Sequence, residues 1–261
     1  MVNIMVLGNC SGLSANHQTT SYVIETDATK ILLDTGPGVV RQLKRANIPA
    51  SEIGLVIVTH CHCDHTLEFP YFLFSNLIDR TLGKTGPEKI PVIALSQVFQ
   101  GLMDMVAFTC PPGKFPFDIV NWEASESQFN SFHFQGIEVT TTPVTHSVPN
   151  IGVRFKIGPT SIVFSSDTVY NESLVELARD CDVLVHEAFA PSSMGEFSAK
   201  SGHSTAEEAG KAARDARAKM LILSHMLPIF IEQADLLISE AGKHFGGKII
   251  MPSELDKIRI S

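Results

Sequence analysis

Between Thr59 and His65 the chain reads Thr-His-Cys-His-Cys-Asp-His, placing three imidazoles and one carboxylate within six residues. The cluster directly follows residues 55–58, Leu-Val-Ile-Val, an apolar run that reads as a buried strand. It therefore falls where a strand ends and the chain turns across the carboxyl edge of a sheet, a usual place for sites in α/β proteins. His and Asp are ligands suited to Zn²⁺, Mn²⁺ or Fe²⁺. His60 and His62 are two residues apart, so in extended chain they point the same way. Asp64 and His65 come after the turn and can face a second ion. Four ligand-type residues this close together point to a metal site rather than a solvated polar loop.

Bulk properties narrow the function classes. At 261 residues the chain can bury a sizeable core as one large domain or two fused halves, and its hydrophobic fraction of 44% is ordinary for a globular protein. Residues 1–6 carry no basic region or cleavage pattern of a signal peptide, and no uncharged apolar run approaches bilayer length. Five cysteines, an odd number without framework spacing, favour a reducing compartment. The expectation is a cytoplasmic enzyme without a membrane partner. Formal net charge is −8 with no block of basic residues, which counts against a long nucleic acid as substrate.

Along the chain, residues 3–7 read as a strand, 22–25 and 30–33 as a strand pair, and 39–46 as a helix. Asp34 closes the second strand of that pair, either as an acceptor for a ligating imidazole or as a simple turn cap. Residues 69–78 are helix-like, 83–91 a linker and 92–95 a buried strand. Residues 101–122, with Met103, Met105, Phe108, Pro111, Pro112, Phe115, Phe117 and Trp122, look irregular: a loop packed on the core, or else an apolar lid near the metals. The second half repeats the rhythm, with strands at 136–142, 152–157, 161–164 and 182–185. Asn171 caps a helix to about residue 180, residues 191–201 form a loop, and Ser204-Thr205-Ala206-Glu207 is a capping box opening an Ala-rich helix through 217. Strands at 220–223, 248–251 and 257–260 complete the pattern. Apolar strands end in Asp34, His60, His146, Asp167, His186 and His225; six such endings suggest a common catalytic edge.

These motifs resemble the metallo-β-lactamase superfamily, and within it the ribonuclease Z-like branch. The matching residues are Thr59-His60-x-His62-x-Asp64-His65, His146, Ser166-Asp167-Thr168, His186-Glu187-Ala188, Gly202-His203-Ser204-Thr205 and Ser224-His225, in the family's order. The resemblance implies an α/β (α+β) protein, a four-layer αβ/βα sandwich, formed by residues 1–261 as a single domain of two pseudo-repeated halves, about 1–135 and 136–261. It also implies two divalent ions, Zn²⁺ first with Mn²⁺ or Fe²⁺ as alternatives. His60, His62 and His146 would hold one ion, Asp64, His65 and His225 the other, and Asp167 would bridge both. Such a pair generates a hydroxide at neutral pH, which Asp64 can orient. Glu187 and His203 would form a proton relay with the imidazole as general acid, and His186 a buried structural ring. Cys61 and Cys63 alternate away from the ligands and are not expected to bind metal. A homodimer is plausible by resemblance alone.

Two departures set the substrate expectation. Ribonuclease Z inserts a long tRNA-gripping arm between the residues matching His146 and Asp167, which here are 21 apart (167 − 146) and separated by two strands. The stretch after His225, Met226-Leu227-Pro228-Ile229-Phe230, is apolar where the tRNA enzymes tend to be polar or basic. The expected activity is hydrolysis of a small, possibly cyclic phosphodiester. An arylsulfatase-like, carboxylic ester or lactone hydrolase is the alternative, and tRNA 3′ cleavage ranks below both. A flavin-linked oxidoreductase or a non-catalytic binding module fits less well, because the first motif and all seven ligands are intact.

Overall fold

A computed structural model describes residues 1–12, 14–110 and 115–260. Among them the chain forms strands β1 (Val2–Gly8), β2 (Ser21–Thr26), β3 (Lys30–Leu33), β4 (Ile53–Ile57), β5 (Lys89–Ala94), β6 (Asp118–Glu123), β7 (Asn130–Phe134), β8 (Ile137–Val144), β9 (Asn150–Ile157), β10 (Thr160–Phe164), β11 (Val183–Glu187), β12 (Met220–Ser224), β13 (Lys248–Ile250) and β14 (Lys257–Ile260). The helices are α1 (Val39–Arg45), α2 (Cys63–Thr66), α3 (Phe69–Thr81), α4 (Ser96–Thr109), α5 (Glu172–Leu177), α6 (Gly195–Lys200), α7 (Ala206–Asp215), α8 (Pro228–Ile231) and α9 (Ala234–Gly242). The chain divides into two compact units, one of Met1–Gly8, Asn16–Ala124 and Ser253–Ser261, the other of Asn9–Ala15 and Ser125–Pro252. Because β7 forms a hairpin with β8, from Asn130↔Thr141 to Phe134↔Ile137, the division falls nearer residue 125 than 135.

The first unit holds a mixed sheet in the order β14-β1-β2-β3-β4-β5-β6. Neighbours from β14 to β3 run antiparallel, and those from β3 to β6 run parallel. β4 is buried along its whole length, which explains its unbroken apolar sequence: a parallel strand with both faces covered has no polar side to alternate with. α1 packs on β1 and α3, and α4 packs on β5, β6 and α3. Since β3 and β4 are parallel, Asp34 and the Thr59–His60 step emerge at the same edge of this sheet.

The second unit holds the order β7-β8-β9-β10-β11-β12-β13. Antiparallel pairing runs from β7 to β10 and parallel pairing from β10 to β13. β8 and β10 are both antiparallel to β9, so they share a direction with each other and with β11 and β12. The residues after them, His146, Asp167 and His225, with Glu187 at the end of β11, therefore all gather at one edge. α7 lays Ala206, Ala209, Gly210, Ala212 and Ala213 inward and packs on β11, β12 and α9.

Several local expectations are corrected. Residues 101–109 belong to α4, whose buried positions Val98, Leu102 and Val106 recur every four residues, and β6 follows. Of the expected lid residues, Pro111 and Pro112 lie outside the described residues. Phe117 is buried beneath the Arg80 guanidinium, 4.7 Å from its ring centroid, whereas Phe108 is 92% exposed. β5 begins inside the expected linker, the helix capped by Asn171 stops at Leu177, and residues 192–200 are helical rather than loop. The capping box is shifted by one: Thr205 caps, and Glu208 returns the bond. Ser204 cannot cap because its hydroxyl donates to the Thr168 carbonyl, and Glu207 pairs with Lys211 and His244. Among the described residues no helix is long and apolar enough to cross a membrane.

The α7–α9 contact is close at Gly210. A Cβ on Gly210 would lie 2.2 Å from the Ala241 carbonyl oxygen, whereas one on Gly101, in exposed α4 surface, would meet nothing within 4 Å. Gly210→Ala should destabilise by about 2 kcal/mol, within the range for overpacked sites. Gly101→Ala should stabilise by about 0.5–1 kcal/mol through helix propensity. Paired urea unfolding curves check both signs.

Candidate metal centre

In the first unit the ligand loop is built around Asp34. This residue follows β3 with φ 60°, a left-handed conformation that Asp tolerates better than most side chains. Its buried carboxylate accepts from the Thr59 backbone N–H at 2.8 Å, the Thr59 hydroxyl at 3.1 Å and His65 Nδ1–H at 2.8 Å. Asp34 thus does more than cap a turn: it fixes a histidine of the cluster. The Thr59 hydroxyl proton is committed to Asp34, so His60 Nδ1–H donates to the Thr59 oxygen, at 3.0 Å. Both rings are therefore held at Nδ1 with Nε2 turned into the cluster, the usual support for a metal-bound imidazole. His60 Nε2 lies 3.2 Å from His62 Nδ1, and His65 Nε2 lies 3.8 Å from Asp64 Oδ2. His62 ends the extended segment, and α2 begins at Cys63, bringing Asp64 and His65 round on a single helical turn. Cys61 and Cys63 are exposed and join none of the ligand clusters among the described residues.

In the second unit Asp167 is central. Its Oδ2 lies 3.2 Å from His225 Nε2 and 3.9 Å from His146 Nε2, so one carboxylate reaches both imidazoles. His146 Nδ1–H donates to the Gly202 carbonyl at 2.7 Å, which again presents Nε2. That approach requires glycine: at φ 82° a Cβ on residue 202 would lie 2.9 Å from His146 Nδ1. Ser166 and His225 also adopt positive φ, at 55° and 54°. Asp167, His203 and His225 each bring a ligand-type atom within 4.8 Å of the others.

Glu187 and His203 form the pair expected from the motif. His203 Nδ1 lies 3.1 Å from Glu187 Oε2, and the Thr168 N–H donates to Glu187 Oε1. Burial, reinforced by the neighbouring charge of Asp167, pushes the Glu187 carboxyl well above its ordinary range. His186 precedes it inside β11 rather than after it. Its side chain points to the other face of the strand and is fully buried, with Nδ1–H donating to the Glu187 carbonyl at 2.7 Å. Burial lowers its pKa to about 4, so the ring is neutral.

Two supporting residues are absent from the sequence motifs. Asn150 is buried; its Nδ2–H donates to the Asp167 carbonyl at 2.7 Å, and its Oδ1 accepts from the Ser166 hydroxyl at 2.9 Å. It clamps the loop that carries Asp167, and its only local sign is its place after Pro149 at a strand start. Phe189 stacks on His203 with ring centroids 4.1 Å apart, an arrangement with no sequence signature.

A family model described as a β-lactamase superfamily domain matches residues 29–226. Ribonuclease Z of Methanothermobacter thermautotrophicus is 26% identical, over 87% of this chain and 87% of its own length. YhfI of Bacillus subtilis, a probable metallo-hydrolase, is 25% identical over 95% of this chain and 96% of its own. The crystal structure of YhfI, a metallo-β-lactamase-fold protein, gives a TM-score of 0.85 over 98% of both chains at 22% identity. A diphosphatase of the PhnP family gives 0.75 at 19% identity, covering 100% of this chain and 98% of its own. The two structural likenesses show the fold.

The buried imidazole of His186 yields a pH prediction. Its folded pKa, about 4, lies below the ordinary 6.5, so between those values the unfolded chain binds the extra proton. The stability from a neutral His186 is complete above pH 6.5 and is lost as pH falls toward 4, by about 3 kcal/mol in all. In metal-free protein, denaturant unfolding at pH 7 and pH 4.5 should show a steeper loss for wild type than for His186→Leu.

Proposed function

Since the chain belongs to the β-lactamase superfamily and is a metal-dependent hydrolase of the metallo-β-lactamase fold, we propose that it cleaves a small phosphodiester, open-chain or cyclic. The observation that carries this reading is the Glu187–His203 pair at 3.1 Å, which sits beside Asp167 and His225. An imidazole oriented by a carboxylate is suited to protonate a leaving alkoxide.

The donors fit divalent metal. His60, His65 and His146 are each held at Nδ1 by a protein oxygen and present Nε2. We assign His60, His62 and His146 to one ion, and Asp64, His65 and His225 to a second, with Asp167 shared. Support for the shared role is the reach of Asp167 Oδ2 to both His146 and His225. Five imidazoles and two carboxylates suit Zn²⁺, with Mn²⁺ and Fe²⁺ as alternatives. When bound, such a pair supplies Lewis acidity at the phosphoryl oxygens and a nucleophile drawn from water at neutral pH. Asp64 orients that water, Glu187 holds His203 in position, and His203 gives its proton to the departing oxygen.

The span between His146 and Asp167 favours a small substrate. β9 and β10 occupy it with a tight turn at Gly158, which leaves no room for a tRNA-gripping arm at that point. Similarity to proteins named ribonuclease Z and diphosphatase favours phosphorus over sulfur or carbon as the reacting centre.

Protein loaded with Zn²⁺ or Mn²⁺ should hydrolyse bis(p-nitrophenyl) phosphate in preference to the matching aryl sulfate and carboxylic ester. Asp64→Ala should abolish turnover. His203→Ala should slow an alkyl diester by about 10²–10⁴-fold, the usual contribution of a general acid, while metal content stays at two ions per chain. Loss of metal in that variant would recast His203 as a ligand, and a faster sulfate or carboxylic ester would overturn the phosphodiester assignment.

A further inference from the structure

The first unit exposes an apolar helix face that neither its sheet nor its ligand loop accounts for. α3 buries Phe69, Phe72, Leu73, Asn76 and Asp79. Its other side exposes Tyr71, Phe74 and Ile78, at 55%, 45% and 40%. Steps of three and four residues keep these side chains on one stripe. Leu67, just before the helix, and Leu82, just after it, are exposed as well. Beside the stripe runs a groove of about 540 Å³, closed on its far side by Val40, Arg41 and Arg45 of α1. Apolar surface gathered in this way marks a contact site.

The face is also held rigid. At its start the Glu68 carboxylate accepts from the Gly38 and Val40 N–H groups at the head of α1, at 2.8 and 2.9 Å. Toward its end Lys44 Nζ donates to Asp79 at 2.7 Å. These two clamps fix the width of the groove. The Glu68 N–H donates to the Thr35 carbonyl and the Thr35 N–H to the His65 carbonyl, both at 2.8 Å. The loop that carries His65 therefore steadies the head of α3, and little ordering is left to lose on association.

We propose that this face is the contact between two copies of the chain, with α3 of each antiparallel to α3 of the other across a two-fold axis near Phe74. The stripe has the symmetry that such an axis demands. Tyr71 and Ile78 are equally far from the point between Phe74 and Ser75, and so are Leu67 and Leu82. Antiparallel helices thus set apolar side chain against apolar side chain at each of these positions, a regularity that an unrelated partner would not require. In a two-fold contact each such pair occurs twice. The ridge of each copy seats in the groove of the other, the way packed helices interlock. Charge fits the same arrangement. The charged residues of α3 are taken up within their own chain, Asp79 by Lys44 and Arg80 by Asn76, Gly86 and Pro87. Arg41 and Arg45 therefore meet no free like charge on the opposing α3. At the ends, antiparallel crossing turns Glu68 of one copy toward Lys84 of the other, an exposed ammonium with no ion pair among the described residues. Which bond the centre cleaves has no bearing on this contact.

Sedimentation velocity of the full chain across micromolar concentrations tests the contact. Wild type should sediment as a dimer. Phe74→Asp, which sets carboxylate against carboxylate beside the axis, should weaken association at least about 30-fold, the scale of an interface hot spot. Circular dichroism checks that the variant is folded, as expected for a change at an exposed position. Thiol mapping then fixes the geometry, in a background carrying Cys61→Ser, Cys63→Ser and Cys110→Ser. Under mild oxidation an equal mixture of Tyr71→Cys and Ile78→Cys proteins should yield a disulfide-linked mixed dimer. Neither variant should link to itself, because like residues stand about 10 Å apart along the helices, beyond disulfide reach. A wild-type monomer across the range overturns the proposal, as does a dimer that persists unweakened in folded Phe74→Asp. A monomer that binds anionic lipid vesicles through Phe74 gives the face to a membrane surface and overturns it equally. Self-linking of Tyr71→Cys in preference to the mixed pair overturns the antiparallel two-fold.

Discussion

The buried carboxylate of Asp34 is the interaction on which the first ligand loop depends. Burying a charge and holding a non-glycine residue at φ 60° are both unfavourable, the second by about 1–3 kcal/mol. Against this stand hydrogen bonds from the Thr59 N–H, the Thr59 hydroxyl and His65 Nδ1. Bonds to a charged group contribute about 1.5–3 kcal/mol each, so three of them outweigh the backbone strain. One side chain thereby sets the exit angle of the chain after β4, the tautomer of His65 and, through Thr59, the tautomer of His60. Without the carboxylate, His65 Nδ1 and the Thr59 hydroxyl would both lose the acceptor that orients them.

The second unit solves the same problem with different chemistry. Its sheet repeats the pairing order of the first, three antiparallel neighbours followed by three parallel ones. Yet His146 is oriented by a backbone carbonyl, that of Gly202, and the loop of Asp167 is clamped by the amide of Asn150. Glycine at 202 is needed because the imidazole comes too close for any Cβ. Positive φ at Asp34, Ser166 and His225 marks the same event in both units, a parallel strand ending and the chain bending sharply across the sheet edge. Strain of this kind persists only where the surroundings over-determine it, and at Asp34 and Ser166 side-chain hydrogen bonds to neighbouring loops do so.

What the sequence made legible follows from this division of labour. Strands β3, β4, β10 and β12 were readable because buried parallel strands are continuous apolar runs, and the residues at their ends stood out by chemical type. The Asp34 contact was half legible, since a carboxylate after an apolar strand has two possible uses and only tertiary contact chooses between them. Residues 101–109 misread as irregular because their inward face is only Val98, Leu102 and Val106, while Met and Phe on the outer face blur the period. The capping box slipped by one because Ser204 and Thr205 are both competent caps; the buried bond from Ser204 to Thr168 decided the matter from 36 residues away. Asn150 and Phe189 were invisible for the same reason, their roles being defined entirely by partners distant in the chain.

The residues of the proposed centre and those of the connecting segments beside it are supported differently. His60, His146, Asp167, Glu187 and His225 sit at or just beyond strand ends, where the sheets fix their backbones and a small set of hydrogen bonds fixes their rings. Phe197 sits on a six-residue helix inside a connecting segment, anchored through Ser192 and Glu240. That helix is tied to the site by the bonds from the Gly202 N–H to the Ala199 carbonyl and from the His203 N–H to the Ser198 carbonyl. Strand ends shared across a fold and connections free to vary are how one constellation can serve many bonds. On that basis the ligand motif is silent about the identity of the group cleaved.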